Sequence, residues 1–203
     1  MDRTRTQDGW RRACRGAGLL LLAAAVLLTA CAGKEEDDGG GDPLSCTLNT
    51  GFVGRSIATG TIILQLSSAT CGNLDLDVVF SGISNVFTVG FDITYPAAIL
   101  TFDGFTSGPL LKQGSPATPP FFSVTESSPG RLVIFASRFS PAGAVDSAGA
   151  STLMTLSFSA DAIGQGPVVF DLSSSPVEDQ VLDESGTAVA ATFSNGLNTA
   201  SVF

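Results

Sequence analysis

The sequence predicts an all-β domain, a β-sandwich of roughly nine strands with jelly-roll or Greek-key connections. Three observations predict it. Apolar residues recur at every second position over long stretches: Leu74, Leu76, Val78 and Phe80 alternate with Asp75, Asp77 and Val79. Phe87, Val89, Phe91, Ile93 and Tyr95 likewise alternate with Thr88, Gly90, Asp92 and Thr94. A period of two is that of a half-buried strand. Clusters of Gly, Pro, Ser and Asn punctuate these runs at short intervals. No stretch carries the 3.6-residue period of a long amphipathic helix.

The first strand of the series is Thr61–Leu66, followed by the two alternating runs above. Pro96-Ala97-Ala98-Ile99 makes one short turn. Gly104–Pro120 reads as a long loop, pinned by Leu110 and Leu111. Strands Phe121–Thr125 and Leu132–Phe139 flank the turn Ser128-Pro129-Gly130. A second long loop, Ser140–Ala150, leads to Leu153–Ala160. Gly164-Gln165-Gly166-Pro167 is read as a turn before Val168–Leu172, and Ser185-Gly186 as a turn before Thr187–Phe193. Asn195-Gly196 gives a hairpin signal before Leu197–Val202, because both residues tolerate positive φ.

A leader precedes this domain. Arg3, Arg5, Arg11, Arg12 and Arg15 form a basic start, and an apolar run from Leu19 to Leu28 ends at Leu28-Thr29-Ala30-Cys31. That is the anatomy of a signal peptide, and the run falls short of the roughly 20 apolar residues that cross a bilayer. Leu-Thr-Ala-Cys resembles the lipobox of bacterial lipoproteins. The resemblance implies cleavage before Cys31 and lipid on its sulfur and new amino group; several acyl chains are needed for stable anchoring. Residues 1–30 are thus expected to be a lipoprotein signal peptide. Residues 31–43 are acidic and Gly-rich, too polar to bury a core, and read as a tether. Residues 44–203 form the domain. Ala32 after the cysteine fits outer-membrane sorting of Gram-negative lipoproteins. Lys34-Glu35-Glu36 resembles a surface-export signal, or is a solvated spacer. The expected location is the cell envelope, on the periplasmic or surface side of the outer membrane.

Composition narrows the function. Removing residues 1–30 takes away five Arg and two Asp and carries the formal charge from −9 to −12. Lys34, Arg55, Lys112, Arg131 and Arg138 are the remaining cations. Such a chain does not hold a phosphate backbone, which excludes nucleic acid as a partner. Cys14 leaves with the leader and Cys31 takes lipid, so Cys46 and Cys71 remain as an even pair in an oxidising compartment. A disulfide between them is expected; two buried free thiols are the alternative. Two cysteines without any His make a poor zinc site, and no metal or cofactor is expected.

Catalytic groups are scarce. Without His, acid–base chemistry falls to carboxylates. Asp75 and Asp77 share one strand face, but a solvated face that discourages edge pairing explains them as well. Asp183-Glu184-Ser185-Gly186 reads as a plain turn rather than a calcium loop. No phosphate loop or nucleophile elbow occurs, and enzymatic activity is not expected. Sugar binding uses exposed aromatic platforms. Tyr95 falls in the core row, and Phe121 and Phe139 are expected to pack in the core or loops.

The order of motifs resembles the cohesin domain. It runs Gly90-Phe91-Asp92-Ile93-Thr94-Tyr95-Pro96, Gly108-Pro109-Leu110-Leu111, Pro129-Gly130-Arg131-Leu132-Val133-Ile134, Gly149–Ala160, and Leu182-Asp183-Glu184-Ser185-Gly186, over roughly Gly60 to Phe203. The family shows Tyr-Asp-Pro after its third strand; here Tyr95 meets Pro96 directly. The resemblance implies a nine-stranded jelly-roll sandwich and a non-catalytic module that binds a protein partner such as a dockerin-like module of polysaccharide-degrading machinery. The expected binding face is Thr88, Asp92, Thr94, Thr155, Ser157 and Ser159. The alternatives are direct binding of a polysaccharide and a structural role in the envelope.

Overall fold

A computed structural model describes residues 46–49, 57–70, 72–173, 179–195 and 198–203. Cys31, Cys71, the leader and the tether lie outside the described residues, so the expected anchor and disulfide do as well. The described residues form thirteen strands in three sheets, with one 3-10 turn at Leu110–Lys112.

The strands are β1 (Cys46–Asn49), β2 (Thr61–Thr70), β3 (Asn73–Ser81), β4 (Thr88–Thr94), β5 (Leu100–Ser107), β6 (Phe121–Ser128) and β7 (Arg131–Ser137). They continue with β8 (Ala150–Ala160), β9 (Gly164–Pro167), β10 (Val169–Phe170), β11 (Gln180–Leu182), β12 (Thr192–Ser194) and β13 (Thr199–Val202). One five-stranded sheet has the order β12-β2-β3-β8-β5, with β12 parallel to β2. The other runs β10-β4-β7-β6, with β11 also pairing β4. β1, β13 and β9 make a small third sheet. This is the expected all-β sandwich, with extra short strands.

The alternating rows meet between the two large sheets. Ile62 and Leu64 of β2, Leu74, Leu76, Val78 and Phe80 of β3, and Met154, Leu156 and Phe158 of β8 are buried from one side. Val89, Phe91 and Ile93 of β4, with Leu132, Ile134 and Ala136 of β7, are buried from the other. Phe91 and Phe170, from one sheet, meet Phe193 of the other, with ring centroids 5.2–5.5 Å apart. Truncating any of the three to Ala is a core deletion, worth about 3–5 kcal/mol. A register shift beside Val78 and Val79 leaves Leu153 opposite no residue, and so both Leu153 and Met154 are buried. Leu110 and Leu111 are fully buried, as expected of the residues that pin their loop.

Several boundaries differ from the sequence reading. The segment read as loop from Gly104 begins as strand: β5 runs on to Ser107 along the edge of β8. It is exposed on one side, and a bulge at Asp103 breaks its alternation, which hid it. Gly164–Pro167, read as a turn, is strand β9. A Cβ on Gly166 would lie 2.5 Å from the Pro96 ring, so glycine is there for close approach rather than for a turn. Asn195 does not lie in a hairpin: β12 and β13 do not pair with each other. Its flanking strands enter different sheets, and Asn195 instead donates its side-chain amide to the carbonyl of Phe170 at 2.8 Å and accepts from the Phe170 N–H. By contrast, the turn at Gly130 is a true hairpin between β6 and β7. Its φ of +83° and a notional Cβ 2.7 Å from the Tyr95 carbonyl both demand glycine.

Candidate functional site

The six residues expected on one face lie on two. Thr88, Asp92 and Thr94 belong to β4, while Thr155, Ser157 and Ser159 belong to β8 in the opposite sheet. Alternation assigns side chains to the inner or outer side of a strand; it does not say which sheet the strand joins. The expectation of a single face made from all six is therefore corrected.

The β8 residues face carboxylates of their own sheet. Thr155 Oγ1 donates to Asp77 Oδ1 at 2.6 Å, and Ser157 Oγ to Asp75 Oδ1 at 2.7 Å. Ser68 Oγ donates to the other Asp75 oxygen at 2.7 Å, and Ser159 Oγ to Asp103 Oδ1 at 3.1 Å. Asp75 and Asp77 are thus acceptors in a hydroxyl ladder across neighbouring strands, a stabilising pattern for a sheet. Asp183 is closed on itself: its Oδ1 accepts from the N–H groups of Ser185 and Thr187, each at 2.9 Å, and from Ser185 Oγ. These bonds hold its carboxyl below the usual range, and it forms a turn. Among the described residues, no group of three or more His, Cys, Asp or Glu is placed to hold a metal ion.

The outer face of β4, β7 and β6 is different in kind. Register sets Thr88, Ser137 and Phe121 in one row across β4, β7 and β6, Gly90, Phe135 and Ser123 in the next, and Asp92, Val133 and Thr125 in the third. Thr88 and Ser137 share a hydroxyl hydrogen bond of 2.8 Å. Phe121 and Phe135 stand exposed, at 47% and 40%, with ring centroids 6.2 Å apart. Phe139, just past β7, is 45% exposed. Phe121 and Phe139, expected to pack in the core or against loops, are thus outside the core and about half exposed. Phe121 starts an edge strand whose inward position is taken by Phe122. Phe135 was not singled out in the sequence, yet its parity with Arg131, Val133 and Ser137, against buried Leu132, Ile134 and Ala136, marks the outward row.

Asp92 is not an open contact either. It is 1% exposed, and Arg131 donates to its Oδ2 from Nε at 3.1 Å and from a terminal nitrogen at 2.7 Å. The same nitrogen reaches Asp171 Oδ2 at 3.0 Å. Burial raises the Asp92 pKa, opposed by the Arg131 charge. The face is therefore an exposed aromatic pair at one end and a cluster of one guanidinium with two carboxylates at the other, with small side chains between. Tyr95 sits inside, 6% exposed, its ring against Phe158 and its hydroxyl donating to Glu126.

No protein-family model matches the sequence, and no curated protein does. Solved structures do. The sixth cohesin of scaffoldin B from Acetivibrio cellulolyticus, solved in complex with the Cel5 dockerin, is 19% identical with a TM-score of 0.53, over 68% of this chain and 96% of that one. A type II cohesin domain from the cellulosome of the same organism is 13% identical with a TM-score of 0.54, over 70% and 95%. CaCohA2 from Clostridium acetobutylicum is 22% identical with a TM-score of 0.52, over 70% and 92%. At these identities the likeness is one of fold, and it spans nearly the whole of each of those domains. The described domain has the cohesin fold.

Proposed function

We propose that this chain is a non-catalytic, lipid-anchored binding module that holds a protein partner bearing a dockerin-like module at the cell envelope. The observation that carries it is the exposed Phe121–Phe135 pair on a sheet face otherwise made of small and polar residues. Exposed aromatics on a rigid face are the usual anchors of protein recognition. The solved cohesin that carries its dockerin supports the class of partner. Lipid on Cys31 and the tether 31–43 would hold the module at the membrane, and a Cys46–Cys71 bridge would brace its start.

The test is retention of dockerin-like modules by the immobilised chain, with and without calcium. Retention that Phe135→Ser abolishes supports the reading; absence of retention in both conditions sinks it. Direct polysaccharide binding has the same exposed rings in its favour, but they are tilted by 54° and form no single flat platform. Affinity electrophoresis over soluble and insoluble glycans separates the two, because only sugar binding retards the chain in a glycan gel.

A further inference from the structure

Strand β4 is flanked along one edge by two short strands in succession. β10 pairs with Ile93 and Thr94, and β11 with Thr88, Val89 and Gly90. Asp92 lies in the gap between them. Its carbonyl accepts from the Asp171 N–H at 2.9 Å, while its N–H donates to the side-chain Oδ1 of Asp179 at 3.3 Å. A carboxyl group thus completes the ladder where the backbone supplies no partner.

Charge gathers at the same point. The groups that face Asp179 are Asp92 on β4, Asp171 just past β10 and Arg131 on β7. Arg131 is engaged with Asp92 Oδ2 and Asp171 Oδ2. Among the described residues, two buried oxygens, Asp92 Oδ1 and Asp179 Oδ2, have no donor. Buried acceptors without donors are unfavourable, and two like charges in one pocket add to that. Three carboxyls share one guanidinium, so a proton on one of them offsets part of the excess negative charge.

We propose that Asp179 binds a proton in the docked state, where its carboxyl accepts from the Asp92 N–H, forming an acid-strengthened clasp that holds β11 against the edge of β4. One proton is taken from solvent onto Asp179 Oδ2, and no other bond changes. It removes one negative charge from a cluster of three carboxyls and one guanidinium. Burial, then the charges of Asp92 and Asp171, push the Asp179 pKa up to about 6, against Arg131 and the Asp92 N–H, which lower it. A carboxyl raised on docking stabilises the docked state fully below its ordinary value of 3.8 and ceases to do so as pH rises through about 6. The clasp is therefore tight in mild acid and loosened at neutral pH. It is internal to the domain and involves no partner, so it stands or falls apart from the binding reading.

The test is carbon-detected NMR titration of the Asp179 carboxyl in the full chain, with thermal unfolding of the wild type and of Asp179→Asn. Asn is neutral at every pH and keeps a side-chain oxygen for the Asp92 N–H. The expected result is a midpoint near 6 and a wild-type Tm that falls by about 3 °C between about pH 5 and about pH 7.5, a fall that Asp179→Asn lacks. A midpoint near the ordinary carboxylate value, or an equal fall in Asp179→Asn, overturns the proposal. Should the variant not fold, the wild-type titration alone decides.

Discussion

Arg131 reaches from β7 to Asp92 on β4 and places two of its nitrogens, at 3.1 and 2.7 Å, on one carboxylate oxygen of a side chain that is 1% exposed. A buried carboxylate of this kind is tolerated because a fixed cation and a backbone ladder surround it. Its neighbour on the same outer face, the Phe121–Phe135 pair, is exposed. The two ends of the face therefore answer to different perturbations.

Arg131→Met leaves Asp92 buried without its cation. Removing one partner of a buried pair costs about 3–5 kcal/mol, and partial exposure of Arg131 places the expected loss near the lower end, about 3 kcal/mol. Urea unfolding measures it. The double variant Arg131→Met, Asp92→Leu is expected to recover part of the loss, since the stranded charge goes with it.

Tyr95 is the single Tyr of the chain, so its ionisation is read directly from tyrosinate absorbance. Burial, and a hydrogen bond to the Glu126 carboxylate, push its pKa from 10.0 up to about 12. The folded state thus disfavours the phenolate. The stability this group contributes is complete below pH 10.0 and is lost as pH rises toward about 12. Tyr95→Phe removes that alkaline dependence and costs about 1.5 kcal/mol at neutral pH, the worth of a hydrogen bond to a charged acceptor. A Tyr95 midpoint at the ordinary phenol value in the folded chain contradicts this.

Phe135→Ser and Phe121→Ser alter exposed rings and are expected to change stability by about 1 kcal/mol or less, since only an aromatic pair and part of its burial are lost. If the face holds the partner, each weakens binding at least about tenfold, roughly 1.4 kcal/mol, by calorimetry. Ser157→Ala on the opposite sheet leaves binding unchanged. Loss of binding from Ser157→Ala with Phe135→Ser silent would assign the partner to the other face.

Cys31→Ser is expected to release the protein from membranes while circular dichroism of the domain stays the same. Fractionation of cells measures it. A variant that remains in the membrane fraction contradicts the lipid anchor.

Much of this was legible in the linear chain. The core rows Leu74–Phe80 and Val89–Ile93 follow from a period of two, because a strand turns every second side chain to the same side. The turn at Gly130 and the pinning Leu110–Leu111 pair were legible for equally local reasons. Edge strands were not: β5 is exposed and bulged, β9 carries two glycines, and β11 has only three residues, so each lacks the burial that writes a pattern.

The candidate site divides in the same way. Alternation alone determined that Thr88, Asp92, Thr94, Thr155, Ser157 and Ser159 turn away from the apolar rows of their strands. Tertiary structure decided that the first three and the last three lie on opposite sheets, because strand pairing joins residues far apart in sequence, as in Asp92↔Val133 and Asp77↔Thr155. It also decided that Asp92 is buried while Phe135 is exposed. Burial depends on what other elements cover a position, here the Asp171 and Asp179 side of the sheet over Asp92, and no local period carries that information.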